Sequence, residues 1–338
     1  MNAILYKDIN DYYFSNSIEE PQISRDLNVK IKVNYCGICG SDIHKLLHER
    51  PDEKYVKTNI LGHEVTGTVI ETMPNVKKIS VGDHVVIEPL LFCGKCKMCK
   101  NKHIQFCKEL KSIGKDIAGG FSEYIIVNEQ QIHKVEKEED LLKSTLCDPY
   151  AVSMHIKNLC NNIVKKKIAI IGDGIIGLST AELVKKKNND VYLFGKHKNR
   201  NEILDKIDVN FINIVDVNKY LNQFDIVIET VGGRQNDTLV NSIKLCVPKG
   251  KIIIAGVFDK SFNFSLSLRE SFYKELSIVG CNSFEKNDFN KALNYLTNNS
   301  VISELMISKI YDISDFNDAI KYIKNRKENE CIKIIIKV

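Results

Sequence analysis

The chain has 338 residues, too long for one ordinary core, so two domains are expected. Its 43% hydrophobic content is that of a soluble globular protein, and no apolar run approaches the ~20 residues of a membrane helix. The net charge of +5, from 48 basic and 43 acidic residues scattered along the chain, is no argument for nucleic acid.

In chain order, Ala3-Ile4-Leu5-Tyr6 and Val29-Lys30-Ile31-Lys32-Val33 read as strands, the second with alternating apolar and basic residues. Cys36-Gly37-Ile38-Cys39-Gly40-Ser41-Asp42-Ile43-His44 follows, with glycines bracketing Cys39 in a manner that suits a sharp turn presenting its thiol. Leu61-Gly62-His63-Glu64-Val65-Thr66-Gly67 then adds a histidine and a carboxylate. Cys, His and Glu are the residue types of a catalytic zinc site with an open position. From Val65 to Glu88 the alternation again predicts β-structure. Cys93, Cys96, Cys99 and Cys107 come next, spaced C-x2-C-x2-C-x7-C. A tight turn can aim such closely spaced sulfurs at one point, and four thiolates close the coordination sphere, so a structural zinc is expected. Gly119-Gly120 feeds the strand Tyr124-Ile125-Ile126-Val127, and Leu142 to Asn162 reads as helix. Eleven cysteines could suggest disulfides, but the count is odd, the start (Met1-Asn2-Ala3-Ile4-Leu5) lacks a secretory signal pattern, and the spacing fits metal. A cytoplasmic protein with no membrane partner is expected.

The architecture changes at Lys165. Lys167-Ile168-Ala169-Ile170-Ile171 is a nearly continuous apolar run, as a strand covered on both faces should be. It leads into Gly172-Asp173-Gly174-Ile175-Ile176-Gly177 and a helix through Leu178, Ala181 and Val184 that ends in Lys185-Lys186-Lys187. A G-x-G-x-x-G run between strand and helix is the dinucleotide fingerprint, its glycines permitting a tight turn and close approach of a pyrophosphate to the helix N-terminus. The next strand, Val191-Tyr192-Leu193-Phe194, ends at Gly195, where NAD-binding chains usually carry an acid for the adenosine ribose. Here the chain reads Gly195-Lys196-His197-Lys198-Asn199-Arg200, and the missing acid with added cations predicts NADP(H) over NAD(H). Further βα units follow: Phe224–Glu229 before Thr230-Val231-Gly232-Gly233, Lys251–Gly256 after the turn Pro248-Lys249-Gly250, and Leu276–Gly280. Phe289–Asn298 and Ile313–Lys324 read as helices, and Cys331–Val338 as a closing strand.

Taken together these motifs resemble the zinc-dependent branch of the medium-chain dehydrogenase/reductase superfamily, specifically its sorbitol (polyol) dehydrogenase-like members. The resemblance spans the whole chain and rests on Cys36–His44, Gly62-His63-Glu64, the four-cysteine lobe, Asp148-Pro149 and Gly172–Gly177 in their usual order. It implies an α/β protein with a GroES-like β-rich catalytic domain over 1–152, rejoined by 286–338, and a Rossmann domain over 153–285. It implies Cys39, His63 and Glu64 as catalytic zinc ligands, with Asp148 where relatives place a carboxylate, usually Glu, that ligates the metal or holds its water. Ser41 and His44 match a proton relay. The dinucleotide is expected on Gly172, Gly174, Ile175, Ile176, Gly177, Gly195, Lys196, Arg200 and Val231, facing the metal between the domains. Two zinc ions per chain and a homodimer or homotetramer are also implied. One departure stands out: polyol dehydrogenases often carry an Arg-Tyr pair where this chain reads Cys281-Asn282-Ser283-Phe284.

The expected activity is hydride transfer between a secondary alcohol or polyol, or its ketone, and NAD(P). A non-catalytic relative would have lost Cys39, His63 or Glu64, and all three are present. A zinc-ribbon nucleic-acid binder would need a basic-aromatic patch that is absent. Cys36, Cys147, Cys160, Cys246, Cys281 and Cys331 are expected to be packing residues, His84 and His155 structural, and His48 and His103 exposed in loops.

Overall fold

Burial along the strand Val29–Gly37 explains its central place in the first unit. Val29, Ile31, Val33 and Cys36 are shielded from solvent and meet a core, while on the other face Lys32 is exposed and Lys30 is covered and paired with Glu20. This strand pairs antiparallel with Glu64–Thr72, with Tyr124–Val127 and with Lys333–Lys337 near the end of the chain. The sheet runs in the order Ile307–Asp312, Lys333–Lys337, Val29–Gly37, Glu64–Thr72, His84–Ile87 and Ile132–Lys134, with Tyr124–Val127 beside Val29–Gly37. One apolar cluster, from Ile4 through Val65 and Phe121 to Phe316 and Ile336, fills the space under it. The unit comprises Met1–Asp148, Glu285–Asn299 and Ile307–Val338. Register sets the site: Gly37 lies opposite both Glu64 and Ile335, and the Ile38 amide donates to the Ile334 carbonyl at 2.9 Å. Residue 39 therefore emerges between the starts of two strands that are remote in sequence.

The computed structural model describes residues 1–47, 58–161, 163–185, 188–197, 200–233, 235–259 and 268–338, without the side chains of 326 and 327. His48, Asn162, Lys186, Lys187, Lys198 and Asn199, which figured in the expectations above, lie outside the described residues.

The second unit, Pro149–Phe284 with Ser300–Met306, is a parallel sheet of six strands between helices. Their order is Asn210–Asn213, Asp190–Gly195, Lys167–Ile171, Phe224–Glu229, Cys246–Ile254 and Ser277–Gly280. In chain order that is 3-2-1-4-5-6, the arrangement of a doubly wound dinucleotide-binding sheet, whose switch point lies between the first and fourth strands. Ile168, Ala169 and Ile170 are fully buried, as the apolar run requires. The short return segment is pinned by a buried carboxylate: Glu182 accepts from the Tyr150 hydroxyl at 2.6 Å and from the Val301 amide at 2.7 Å. The fold class is thus α/β, as expected.

Two local differences have physical reasons. The helical stretch from Leu142 divides into Leu141–Ser144 and Cys147–Cys160, the second opening on Cys147-Asp148-Pro149, where proline's missing amide costs nothing in the first turn. The expected turn at Pro248–Gly250 is instead an irregularity inside the strand Cys246–Ile254, absorbed by Lys249 at a φ of 63°.

Candidate active site

Cys39 sits just after Val29–Gly37 and just before the helix Gly40–Leu47, while His63 and Glu64 open the neighbouring strand. The structure brings them together: one ligand atom from each of Cys39, His63 and Glu64 lies within 4.8 Å of the others. Close packing enforces this. A Cβ at Gly37 would stand 2.1 Å from a Glu64 carboxylate oxygen, so only glycine lets that carboxylate lie over the strand end.

Two partners that the motifs did not single out hold the cluster. Asp42, fully buried, accepts from the Cys39 amide at 3.0 Å and places its other oxygen 3.6 Å from His63 Nδ1. Burial pushes the Asp42 carboxyl up, but the His63 imidazole beside it, Lys45 and the Cys39 amide more than offset this and leave it below its ordinary value. Burial would push His63 down, yet Asp42 and Cys39 on its two sides raise it well above the usual imidazole value. The protonated ring lies between an acid and a sulfur, and a metal cation suits the sulfur side. The second partner is Lys333, whose Nζ donates to both Glu64 oxygens at 2.7 Å and to the Ile38 carbonyl at 3.1 Å. Burial disfavours its charge, but Glu64, Cys39 and Asp148 keep its pKa above the ordinary lysine value. Asp42 could have been suspected as a polar residue next to a turn cysteine. A buried lysine 269 residues from its carboxylate leaves no local signal.

Among the described residues Asp148 stands outside the 4.8 Å set, although it feels its charges. Its carboxyl is pushed up to about 6, first by burial, with His63 and Lys333 opposing and Glu64 and Asp42 adding. Ser41 and His44 lie three positions apart on the Gly40–Leu47 helix, hence on one face. Cys36 is fully buried, its sulfur 2.8 Å from where a Cβ on Gly62 would stand, and belongs to the core.

Cys93, Cys96, Cys99 and Cys107 form a second cluster on a loop with the one-turn helix Lys97–Lys100. The Cys96 and Cys99 sulfurs are 3.5 Å apart and those of Cys93 and Cys99 4.0 Å. These values bracket the ~3.8 Å edge of a tetrahedron built on Zn–S bonds of about 2.3 Å. All eleven cysteines are free thiols. Hydrogen bonding from the Cys99 amide draws the Cys96 thiol down to about 6, while burial pushes Cys99 up to about 12.

In the second unit Gly172, at a φ of 114°, turns the chain out of the first strand, and Gly177 packs so tightly that a Cβ would stand 1.8 Å from the Gly172 carbonyl. Among the described residues nothing lies within 4 Å of where a Cβ on Gly174 would be, which leaves room for a pyrophosphate. Ile175 and Ile176 open the helix Ile175–Lys185, half-buried, and Val231 is exposed at the end of Phe224–Glu229. Glu229 shapes that end, its buried carboxylate accepting from the Val231 and Gly232 amides at 2.9 and 3.0 Å. Lys196 is exposed beyond Gly195, and Arg200 is buried. The Cys281–Phe284 stretch ends in a buried Phe284, with Ser283 at a φ of 52°.

Comparison with known proteins decides the family. The alcohol dehydrogenase GroES-like domain matches residues 25–137, and the glucose dehydrogenase C-terminus matches residues 156–338, more than half of the chain. The chain belongs to the zinc-dependent medium-chain dehydrogenase/reductases. Within them it falls with the sorbitol (polyol) dehydrogenase-like members. It is 27% identical to the 2-dehydro-3-deoxy-L-galactonate 5-dehydrogenase of Pseudoalteromonas atlantica over 86% of each chain. It is 28% identical to the sorbitol dehydrogenase of Halalkalibacterium halodurans over 91% of each. A zinc-binding dehydrogenase of Sinorhizobium meliloti, solved with NADP, shares the fold at a TM-score of 0.89 and 24% identity, across 100% of this chain and 99% of that one. As a medium-chain dehydrogenase the chain is an oxidoreductase of the alcohol/polyol type that uses zinc and a nicotinamide cofactor. The two clusters and the glycine loop offer donor sets that fit those groups. Among the described residues no helix is long and apolar enough to cross a membrane.

Proposed function

We propose that this dehydrogenase moves a hydride between a secondary hydroxyl of a polyol-type substrate, or the matching ketone, and a nicotinamide dinucleotide at Cys39, His63 and Glu64. The convergence of those three ligand atoms within 4.8 Å carries the reading. Zinc held there supplies a Lewis acid that makes the substrate hydroxyl more acidic, and the dinucleotide supplies the hydride acceptor or donor.

The chain's own residues do the remaining work. One thiolate, one imidazole and one carboxylate donate less charge than four thiolates, which suits a catalytic rather than a structural role. Asp42 fixes the His63 ring, and Lys333 fixes the Glu64 carboxylate. Ser41 accepts the hydroxyl proton and passes it to His44, whose imidazole can take up and release a proton. Asp148, outside the ligand set, holds a water or a substrate hydroxyl. Gly172, Gly174, Ile175, Ile176, Gly177 and Val231 bind the dinucleotide. On charge alone, Lys196 and Arg200 support NADP(H), whereas Asp173 supports NAD(H).

We further propose a second, structural zinc on Cys93, Cys96, Cys99 and Cys107, supported by the sulfur spacings. The first unit is proposed as the GroES-like catalytic domain and the second as the Rossmann domain. A homodimer through the edge strand Ser277–Gly280 is supported by exposed Ile278 and, on the preceding helix, exposed Leu268, Phe272 and Tyr273. Free thiols throughout support a cytoplasmic setting. The relatives' names support polyols and sugar acids as the substrate class, while Cys281–Phe284 in place of an Arg-Tyr pair supports a substrate other than sorbitol itself.

Metal analysis with a panel of secondary alcohols, polyols and sugar acids, followed by NAD(P)H absorbance in both directions, tests this. Two zinc ions per chain and turnover of a polyol-type substrate are expected from the two clusters. Zinc-loaded protein inert towards the whole panel in both directions would sink the proposal.

A further inference from the structure

The end of the second parallel strand is where a dinucleotide-binding sheet normally supplies an acid to the adenosine ribose, and here that residue is Gly195. The space is not empty. A Cβ built on Gly195 would stand 2.4 Å from Oδ2 and 2.6 Å from Cγ of Asp173. By ordinary bond lengths an aspartate's own carboxylate oxygens lie roughly 2.4 Å from its Cβ. A carboxylate is therefore present against that strand end, carried by the residue between Gly172 and Gly174.

We propose that Asp173 selects the dinucleotide, doing from the glycine-rich loop what a strand-end acid does elsewhere, and that the chain prefers NAD(H) to NADP(H). The inference rests on the reading of Gly172–Gly177 as the dinucleotide loop and replaces the preference that the basic residues alone suggest. Three observations support it. Asp173 Oδ2 accepts from the Lys196 amide at 2.9 Å and the His197 amide at 2.8 Å, with His197 Nδ1 at 3.0 Å. Those two amides, the first beyond Gly195, already serve a carboxylate and are not open to a phosphate. Arg200, the strongest candidate for gripping a phosphate, is buried at 6% exposure with its guanidinium 3.8 Å from Asp173 Oδ1. It faces an internal anion. The third observation is Asp173 itself, 8% exposed and fixed by these contacts, a buried acceptor that a ribose hydroxyl can donate to and that a 2′-phosphate repels.

Moving the acid tests the idea. Calorimetric titration of the zinc-loaded enzyme with NAD+, NADP+, 5′-AMP and 2′,5′-ADP reads binding without turnover. Wild type is expected to bind NAD+ about tenfold or more tighter than NADP+, and Asp173→Ala to cut that ratio about tenfold or more, the worth of hydrogen bonds to a charged group. Gly195→Asp alone is expected to weaken both dinucleotides, since its Cβ meets the Asp173 carboxylate. The double variant Asp173→Ala/Gly195→Asp should recover the NAD+ preference, and thermal melts check that each variant folds. A wild-type preference for NADP+ overturns the proposal. So does Asp173→Ala weakening both ligands equally, because Asp173 would then only position the loop. Failure of the wild type to bind any of the four ligands would instead overturn the dinucleotide reading beneath it.

Discussion

The four-cysteine cluster and the Cys39–His63–Glu64 cluster are built in opposite ways. The cysteine lobe takes four sulfurs from one short stretch and closes on itself: the Lys100 amide donates to the Cys96 carbonyl and the Lys102 amide to that of Cys99. The other cluster takes Cys39 from the end of one strand, His63 and Glu64 from the start of another, and Lys333 from the last strand of the chain. Local geometry suffices for a closed site whose work is to hold a loop. An open site drawn from separate strands needs its ligands restrained from outside, and here Asp42 and Lys333 do so for His63 and Glu64.

If this contrast is right, the clusters respond differently to losing one member. Cys39→Ala should lower kcat by about a thousandfold or more, the scale of several kcal/mol of Lewis-acid stabilisation, while zinc on the lobe and the melting temperature barely change. Metal analysis beside steady-state kinetics checks it, and near-normal turnover in that variant would break the comparison. Lys333→Met comes next. In the metal-free protein it leaves the Glu64 carboxylate, 2% exposed, without its cation, at an expected cost of about 3–5 kcal/mol in urea unfolding. Lys333→Arg should recover much of that. A loss of less than 1 kcal/mol would mean that the pair is solvated and the restraint imaginary.

The same contrast explains what could be read before the fold was known. Cys93, Cys96, Cys99 and Cys107 were legible because their chemistry is local, and so were the glycines of the dinucleotide loop, whose strand and helix lie on either side. The α/β class followed from the switch at Lys165 from alternating to continuous apolar runs. Lys333 was invisible: in sequence it is one lysine of a strand Lys333–Lys337, and only the register that sets Gly37 against Ile335 brings it under Glu64. Asp173 lies inside the glycine motif, whereas a dinucleotide sheet ordinarily carries its acid on the strand that ends at Gly195; here the acid arrives from the neighbouring loop. Contacts across strands are what a single sequence does not print.

Asp42 offers a finer cut. Asp42→Asn keeps the size and the acceptor for the Cys39 amide but removes the charge beside His63. Zinc affinity at the open cluster should fall about 10–100-fold, as for other partners of metal-bound histidines, with the lobe unaffected. Competition with a chromogenic chelator, which releases the two zinc ions in separate steps, reads both at once. Equal loosening of both sites would show that the variant perturbs the unit as a whole.

The smallest predicted effect lies in the lobe and comes from its sulfurs. Metal capture requires thiolates, so each thiol still protonated must release its proton as zinc binds. Cys96, drawn down to about 6, has shed its proton at pH 7, whereas Cys99, pushed up to about 12, has not. Above pH 6 Cys96 therefore adds nothing to the pH dependence of zinc affinity at the lobe. Below pH 6 it must ionise on binding, and the affinity should fall more steeply there, by about one further factor of ten per pH unit. Titrating the metal-free protein with zinc across pH 5–8 in buffers of different ionisation heat counts the protons released. A break near pH 6 that disappears in Cys96→Ser, with the open cluster's titration unchanged, places the charged sulfur of the metal-free lobe at Cys96; a uniform slope would mean that the four sulfurs share their protons evenly.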